Sequence, residues 1–146
     1  MNLHDPQLRK AARWRATPAC APGAQHVAVL MAVRNGADWL PDQLSSLATQ
    51  SHGDWSHMLG DDRSSDNSAE IIHDFAMAHP NVPVRLFPGP NKGFQSNFLS
   101  LLQKVSPSAA LVAFADQDDV WKPNKLKAAI AALTKMPKGK PALYCG

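Results

Sequence analysis

Asp116, Asp118 and Asp119 crowd three carboxylates into four positions, and Asp61 and Asp62 form a second acidic pair. In an extended segment residues i and i+2 point the same way, so Asp116 and Asp118 can face one ligand together. Crowded carboxylates repel, and burying them unpaired is costly; a divalent cation removes that conflict. An all-oxygen donor set favours Mg²⁺ or Mn²⁺ over zinc. Such a cation can bridge the two phosphates of a nucleotide diphosphate and stabilise negative charge on a leaving group. The plainer alternative is an acidic loop at the positive end of the following helix. Asp61 and Asp62 can bind a second part of the same ligand, a base or ribose edge, although Asp, Ser and Asn clusters also make turns and caps. In Asn91-Lys92-Gly93 the glycine permits an unusual backbone angle or a close approach. Lys92 can meet phosphate there, and the alternative is an ordinary turn.

These residues depend on the elements that carry them. Val27–Val33 is an apolar run that reads as a buried strand. A helix is predicted over 37–49, with Leu40, Leu44 and Leu47 on one face, and a strand over 55–60. The next helix, 69–78, turns Ile71, Ile72 and Phe75 inward; Asn67 and Glu70 open it as a capping box and Pro80 stops it. A strand over 84–87 and a turn at 88–91 lead into a helix over 94–104 with Phe94, Phe98, Leu101 and Leu102. A strand over 110–115 follows. Then comes a helix with Pro123 in its first turn and Leu126, Ile130 and Leu133 at helical spacing. Residues 142–145 read as the start of a fifth strand that buries Cys145.

Strands alternating with helices imply an α/β fold: a mostly parallel sheet flanked by helices. In such sheets ligands bind beyond the carboxyl ends of the strands. Both acid clusters fall at such ends, after the second and fourth strands, which points to one shared acidic site.

The 146 residues, 45% hydrophobic and 18% charged, suit a single globular domain. Residues 1–25 contain Pro6, Pro18, Pro22 and Gly23 without a sustained period and read as a flexible N-terminal extension, with room for a short helix. Part of the net charge of +3 lies there, in Arg9, Lys10, Arg13 and Arg15. With no aromatic ladder or nucleic-acid motif beside it, that cluster reads as a solvated tail, and no nucleic-acid partner is expected. Cys20 and Cys145 form neither a CxxC nor a zinc-type cluster. No secretory leader or bilayer-length apolar run is present, so the expected compartment is the cytoplasm with both thiols reduced.

None of His4, His26, His52, His57, His73 and His79 pairs at metal-ligand spacing on a helix, and each reads as a surface or loop residue. Trp39 and Trp121 read as packing anchors, and Ser64, Ser65 and Ser96 lack a nucleophile elbow. No GxGxxG follows the first strand, which argues against a Rossmann dehydrogenase, and GPNKGF lacks the ending of a P-loop. A phospho-receiver domain would place its acid pair after strand one, whereas the pairs here follow strands two and four.

Four segments in register resemble family 2 glycosyltransferases of GT-A type: VAVLMAVRNGADWLPDQLSSLATQ, MLGDDRSSDNSAEII, GPNKGFQSNF and FADQDDVWKPNKL. The second is similar to the family's VDDGSTDNT stretch, and the fourth to its DxD segment. The DQDDVW form resembles the branch that builds bacterial surface polysaccharides, including rhamnosyltransferase-like members. The resemblance implies a GT-A fold over 26–146, serving as the half that binds a nucleotide-diphospho-sugar donor. It places Ala32, Val33 and Arg34 beside the nucleotide base, and Asp62 at the base or ribose. Asn91 and Lys92 lie at the donor, and Asp116 near the ribose or metal. Asp118 is the best metal ligand, with Asp119 assisting, and Mn²⁺ or Mg²⁺ is the implied cofactor.

Two local departures stand out. Arg34 occupies a position where the family often has Tyr, which removes ring stacking on the base or replaces it with guanidinium stacking. Arg63 replaces a common Gly, which restricts the loop or adds a phosphate contact. Family members also continue well past 146 residues, and the resemblance places the acceptor site and the general base in that later half. The expectation is therefore a domain truncated on its C-terminal side, with no base assignable in this chain. It acts as a glycosyltransferase on a saccharide or lipid-linked acceptor, with room for contact at the inner face of the membrane. The alternative is a donor-binding fragment without transfer activity. Uncovered strand edges and apolar surface would favour self-association into a homo-oligomer.

Overall fold

The computed structural model describes residues 25–146, apart from residue 138. The expected extension over 1–25, its basic cluster, Cys20 and His4 therefore lie outside the described residues, save for position 25 itself. Among the described residues four strands and four helices alternate: β1 (Val27–Val33), α1 (Leu40–Ala48), β2 (Trp55–Asp61), α2 (Ser68–Ala78), β3 (Val84–Pro88), α3 (Phe94–Leu102), β4 (Leu111–Ala115) and α4 (Lys125–Leu133). The strands form one parallel sheet in the order β3-β2-β1-β4. The chain thus walks outward from β1 to β3, then returns to β4 on the other side of β1. That reversal opens a crevice at the carboxyl ends of β1 and β4, where open α/β sheets take their ligands.

Alternation along each strand sorts side chains onto two faces. Val27, Val29, Met31 and Val33 of β1 join Leu59 of β2 and Val84 of β3 on one face. There they pack against Leu40, Leu44 and Leu47 of α1, Ile72 and Phe75 of α2, and Leu126 and Ile130 of α4. Ala28, Leu30 and Met58 point to the other face and meet Leu101 of α3, with Phe87 and Phe98 alongside. Three helices cover the first face and α3 covers the second. Trp121 is the packing anchor its sequence context suggests, at 5% exposure.

Several expectations need correction. Residues 142–145 form no strand, and Leu143 and Cys145 are exposed. A strand exists only where a ladder pairs it, and the sheet ends at β4. Trp39 is not a buried anchor and stands 47% exposed. His57 is no surface residue: it lies in the middle of β2, fully buried. Asn67 does not cap α2 with its side chain; its backbone, at φ −86° and ψ 20°, is not in the extended form of a capping residue. Asp66 does that work, its Oδ1 accepting from Ser68 N–H at 3.1 Å and Ser68 Oγ at 2.6 Å. Pro123 precedes α4 and does not begin it; its carbonyl accepts the Ser51 N–H at 2.7 Å.

Candidate functional site

The loops leaving β1, β2, β3 and β4 meet at the carboxyl rim. Arg34, the first residue past β1, is the junction. Its N–H donates to Gln117 Oε1 at 3.0 Å, and its carbonyl accepts from Gln117 Nε2 at 3.2 Å. Its guanidinium reaches Asn91 Oδ1 at 3.4 Å and lies 3.8 Å from Asp62 Oδ2. Arg34 therefore joins the two acidic loops, holding the 116–119 loop by its backbone and reaching Asn91 and Asp62 with its exposed side chain.

Asp62 is 2% exposed, and both carboxylate oxygens are engaged by backbone: one by the N–H of Asn91, the other by that of Gly93 at 3.1 Å. Charge-assisted bonds of this kind hold a loop more firmly than neutral ones. The turn they hold needs unusual backbone angles, with φ of 56° at Asn91 and 85° at Gly93. Gly89 lies so close that a Cβ there would come within 2.7 Å of Asp62 Oδ1 and 2.8 Å of its Cα. Lys92 stands exposed at the tip of the turn. Asp61 faces its own loop and accepts the Ser64 N–H at 2.9 Å.

The loop after β1 is zipped to the loop after β2. Ser64 Oγ accepts from Asn35 N–H, Ser68 Oγ from Gly36 N–H and Asp66 Oδ2 from Ala37 N–H, at 2.9, 2.9 and 3.0 Å. Val33 is buried in the core, and its carbonyl takes the Asp62 N–H at 2.8 Å. Ala32 is half-buried, so along this segment Arg34 is the side chain open to a ligand.

Asp116, Asp118 and Asp119 stand exposed beyond β4. Desolvation, then repulsion from Asp119 and Asp118, pushes the Asp116 carboxyl above the ordinary carboxylate range. Asp116 thus sits among like charges, which is the condition a cation relieves. Among the described residues no three His, Cys, Asp or Glu side chains converge to enclose a metal. Beside Asp116 an apolar cleft of about 420 Å³ runs between α3 and β4, lined by Phe94, Phe98, Leu99, Leu102 and Phe114.

The structure thus gathers Arg34, Asp62, Asn91, Lys92 and the 116–119 segment on one rim. Sequence reasoning missed the polar residues that hold it. Gln117 clasps Arg34 as described. Buried Gln43 of α1 donates from Nε2 to the Asp116 carbonyl at 3.0 Å. Ser46 Oγ accepts the Trp121 N–H at 3.0 Å. Gln50, just past α1, donates to the Lys122 carbonyl at 2.9 Å and accepts the Leu126 N–H at 3.1 Å. Their spacing was the available signal: 43, 46 and 50 recur with the period of the apolar face of α1, so polar side chains lie on a buried helix side.

The parallel sheet, its helices and its reversal between β1 and β4 make this a GT-A fold. A mannosyltransferase of Pyrobaculum calidifontis, solved with GDP-Man and Mn²⁺, superposes with a TM-score of 0.67 at 16% identity, over 85% of this chain and 37% of that one. Residues 28–139 match Glycosyl transferase family 2, and the chain belongs to that family. Among curated relatives, the dTDP-rhamnosyl transferase RfbG of Shigella flexneri is 36% identical over 70% of this chain and 36% of its own length. The UDP-Glc:alpha-D-GlcNAc-diphosphoundecaprenol beta-1,3-glucosyltransferase WfgD of Escherichia coli is 26% identical over 75% of this chain and 41% of its own. The chain spans between 30% and 41% of the length of the curated relatives it matches.

Proposed function

We propose that this chain binds a nucleotide-diphospho-sugar at the carboxyl rim and serves sugar transfer in bacterial cell-surface polysaccharide synthesis. The acceptor is a saccharide or a lipid-linked saccharide, as the name of the E. coli relative states for that protein. The observation that carries the reading is Arg34, which touches both the turn held by Asp62 and the loop that bears Asp116 and Asp118. The backbone at Ala32 and Val33, with the Arg34 guanidinium, lies beside the nucleotide base. Asp62 positions Asn91 and Lys92, and Lys92 meets a phosphate. The work takes place on the cytoplasmic side, at the inner face of the membrane; no helix among the described residues is long and apolar enough to cross a bilayer.

Asp116 and Asp118 would hold a divalent cation, Mn²⁺ or Mg²⁺. Two carboxylates without a third protein ligand fit such an ion, because Mg²⁺-type sites fill their octahedron with substrate phosphates and water. When bound, the cation supplies neutralisation of the diphosphate as it leaves. A second reading, donor binding without transfer, uses the same rim and differs only in the acceptor chemistry.

Calorimetry with UDP, dTDP and GDP, each with and without Mn²⁺, tests the site. One nucleotide should bind, and omitting Mn²⁺ or substituting Asp118→Ala should weaken it at least about tenfold, since even an outer partner of a metal ligand is worth about 10–100-fold in affinity. Metal-independent binding unchanged by the substitution would remove Asp118 from the site. Sugar transfer measured on the same protein separates the two readings, since binding without transfer selects the second.

A further inference from the structure

At the opposite end of the sheet, where β1 and β2 begin, three side chains stand in series. His26 Nδ1 lies 2.7 Å from Asp54 Oδ1, and His26 Nε2 lies 3.0 Å from Ser56 Oγ. An ionised carboxylate can only accept, so Nδ1 carries the proton. In the neutral ring Nε2 then offers its lone pair to the Ser56 hydroxyl. A hydroxyl within reach of a base, with the base oriented by a third group, is the arrangement that activates a nucleophile.

The array is held from several sides. The His26 carbonyl accepts the N–H groups of Ala110 and Leu111 at 3.0 and 3.2 Å. The Val27 N–H donates to the Asp54 carbonyl at 3.1 Å. His52 Nε2 donates to the carbonyls of Asp54 and Gln25 at 3.1 and 3.2 Å. The His26 side chain is 12% exposed and that of Asp54 39%. Ser56 is half-buried, on the same strand face as Met58, whose cluster with Ala28, Leu30 and Leu101 is wholly apolar. The sugar-nucleotide rim uses none of the three residues.

We propose that Ser56, His26 and Asp54 form a hydrolytic site for acyl esters, separate from the donor site. Ser56 Oγ attacks the ester carbonyl carbon while its proton passes to His26 Nε2. The C–O bond to the alcohol breaks, and the alcohol leaves with that proton, so that Ser56 is acylated. Water then gives a proton to His26 Nε2 as its oxygen attacks the acyl carbon. The carboxylic acid departs, and the proton returns from His26 to Ser56 Oγ. Asp54 stays ionised throughout and steadies the transient imidazolium.

The test uses the full chain with p-nitrophenyl acetate and a fluorophosphonate probe. The expected results are a single phosphonyl adduct on the peptide containing Ser56 and release of nitrophenol that falls at least about 100-fold in Ser56→Ala, the scale of general-base assistance. Asp54→Asn should slow adduct formation at least about tenfold at an unchanged thermal midpoint, because the amide no longer enforces the tautomer. An adduct absent from Ser56, or formed equally fast in folded Asp54→Asn, overturns the proposal. In that case the three side chains only tie β1 to β2, which would lower the midpoint of Ser56→Ala without changing ester turnover.

Discussion

The imidazole of His57 sits inside the sheet beside Trp55, their ring centroids 6.1 Å apart, and neither of its ring nitrogens has a hydrogen-bond partner among the described residues. Burial lowers its pKa from 6.5 to about 3. The unfolded chain therefore binds a proton near pH 6.5 that the folded chain refuses until about pH 3. Within that window unfolding takes up a proton, so stability falls as pH falls, by about 1.4 kcal/mol per pH unit from this residue. Urea unfolding across the window should show that slope in wild type and its loss in His57→Leu; parallel curves would refute the coupling. A second residue-scale cost lies in Arg63, whose φ of 64° is in the left-handed region. A side chain there costs about 1–2 kcal/mol, partly offset by the greater freedom of an unfolded glycine. Arg63→Gly should therefore stabilise the chain by up to about 1 kcal/mol, read as a higher urea midpoint at unchanged slope. No change would mean that the loop already relieves the strain.

At the scale of elements, close fits between a strand and its covering helix decide tolerance. Asn97 of α3 is buried and donates from Nδ2 to the Gly60 carbonyl at 2.7 Å. A Cβ on Gly60 would lie 2.0 Å from Asn97 Oδ1, so Gly60→Ala must displace a buried, bonded side chain. Overpacking of this kind costs about 1–3 kcal/mol, and the lost hydrogen bond adds to it. Chemical unfolding should show a loss of at least about 2 kcal/mol, and a loss below half of that would mean α3 shifts freely on the sheet. Such fits were not legible in the sequence. Apolar periodicity gave the four strands and four helices of the described residues, because Leu40, Leu44 and Leu47, or Ile72 and Phe75, need only face a common core. It gave Asp62 and Asp116–Asp119 their place on one rim, because parallel strands send their carboxyl ends to one side. It did not give Gln43, Ser46, Gln50 and Gln117, because their partners are backbone groups in loops far along the chain. Nor did it give His26, Asp54 and Ser56, which come together only through the register of β1 on β2. Residues 142–145 were misread because β propensity has no force without a neighbouring strand to pair.

For the whole molecule, the unequal covering of the sheet is the dominant feature. Among the described residues one face carries three helices and the other carries α3 alone, which leaves apolar side chains exposed at the β4 end of that second face. Val112 and Phe114 of β4 are 37% and 53% exposed, and Phe94, Leu99 and Leu102 of α3 are 65%, 62% and 41% exposed. All of these but Val112 line one cleft, which lies beside the edge of β4, a strand without charge or proline that pairs with no further strand among the described residues. Contiguous apolar surface next to an open strand edge is the combination that soluble monomers avoid. The described surface should therefore drive self-association as concentration rises. Light scattering after size exclusion should show mass above the 15.8 kDa monomer in the micromolar range. Phe114→Lys places a charge on that face at the expense of the edge-to-face contact with Phe98, and it should shift the mass back toward the monomer while the far-ultraviolet spectrum stays unchanged. A wild-type chain that remains monomeric at high concentration would show that this apolar face is tolerated in water, and the association argument would then fail irrespective of what the carboxyl rim binds.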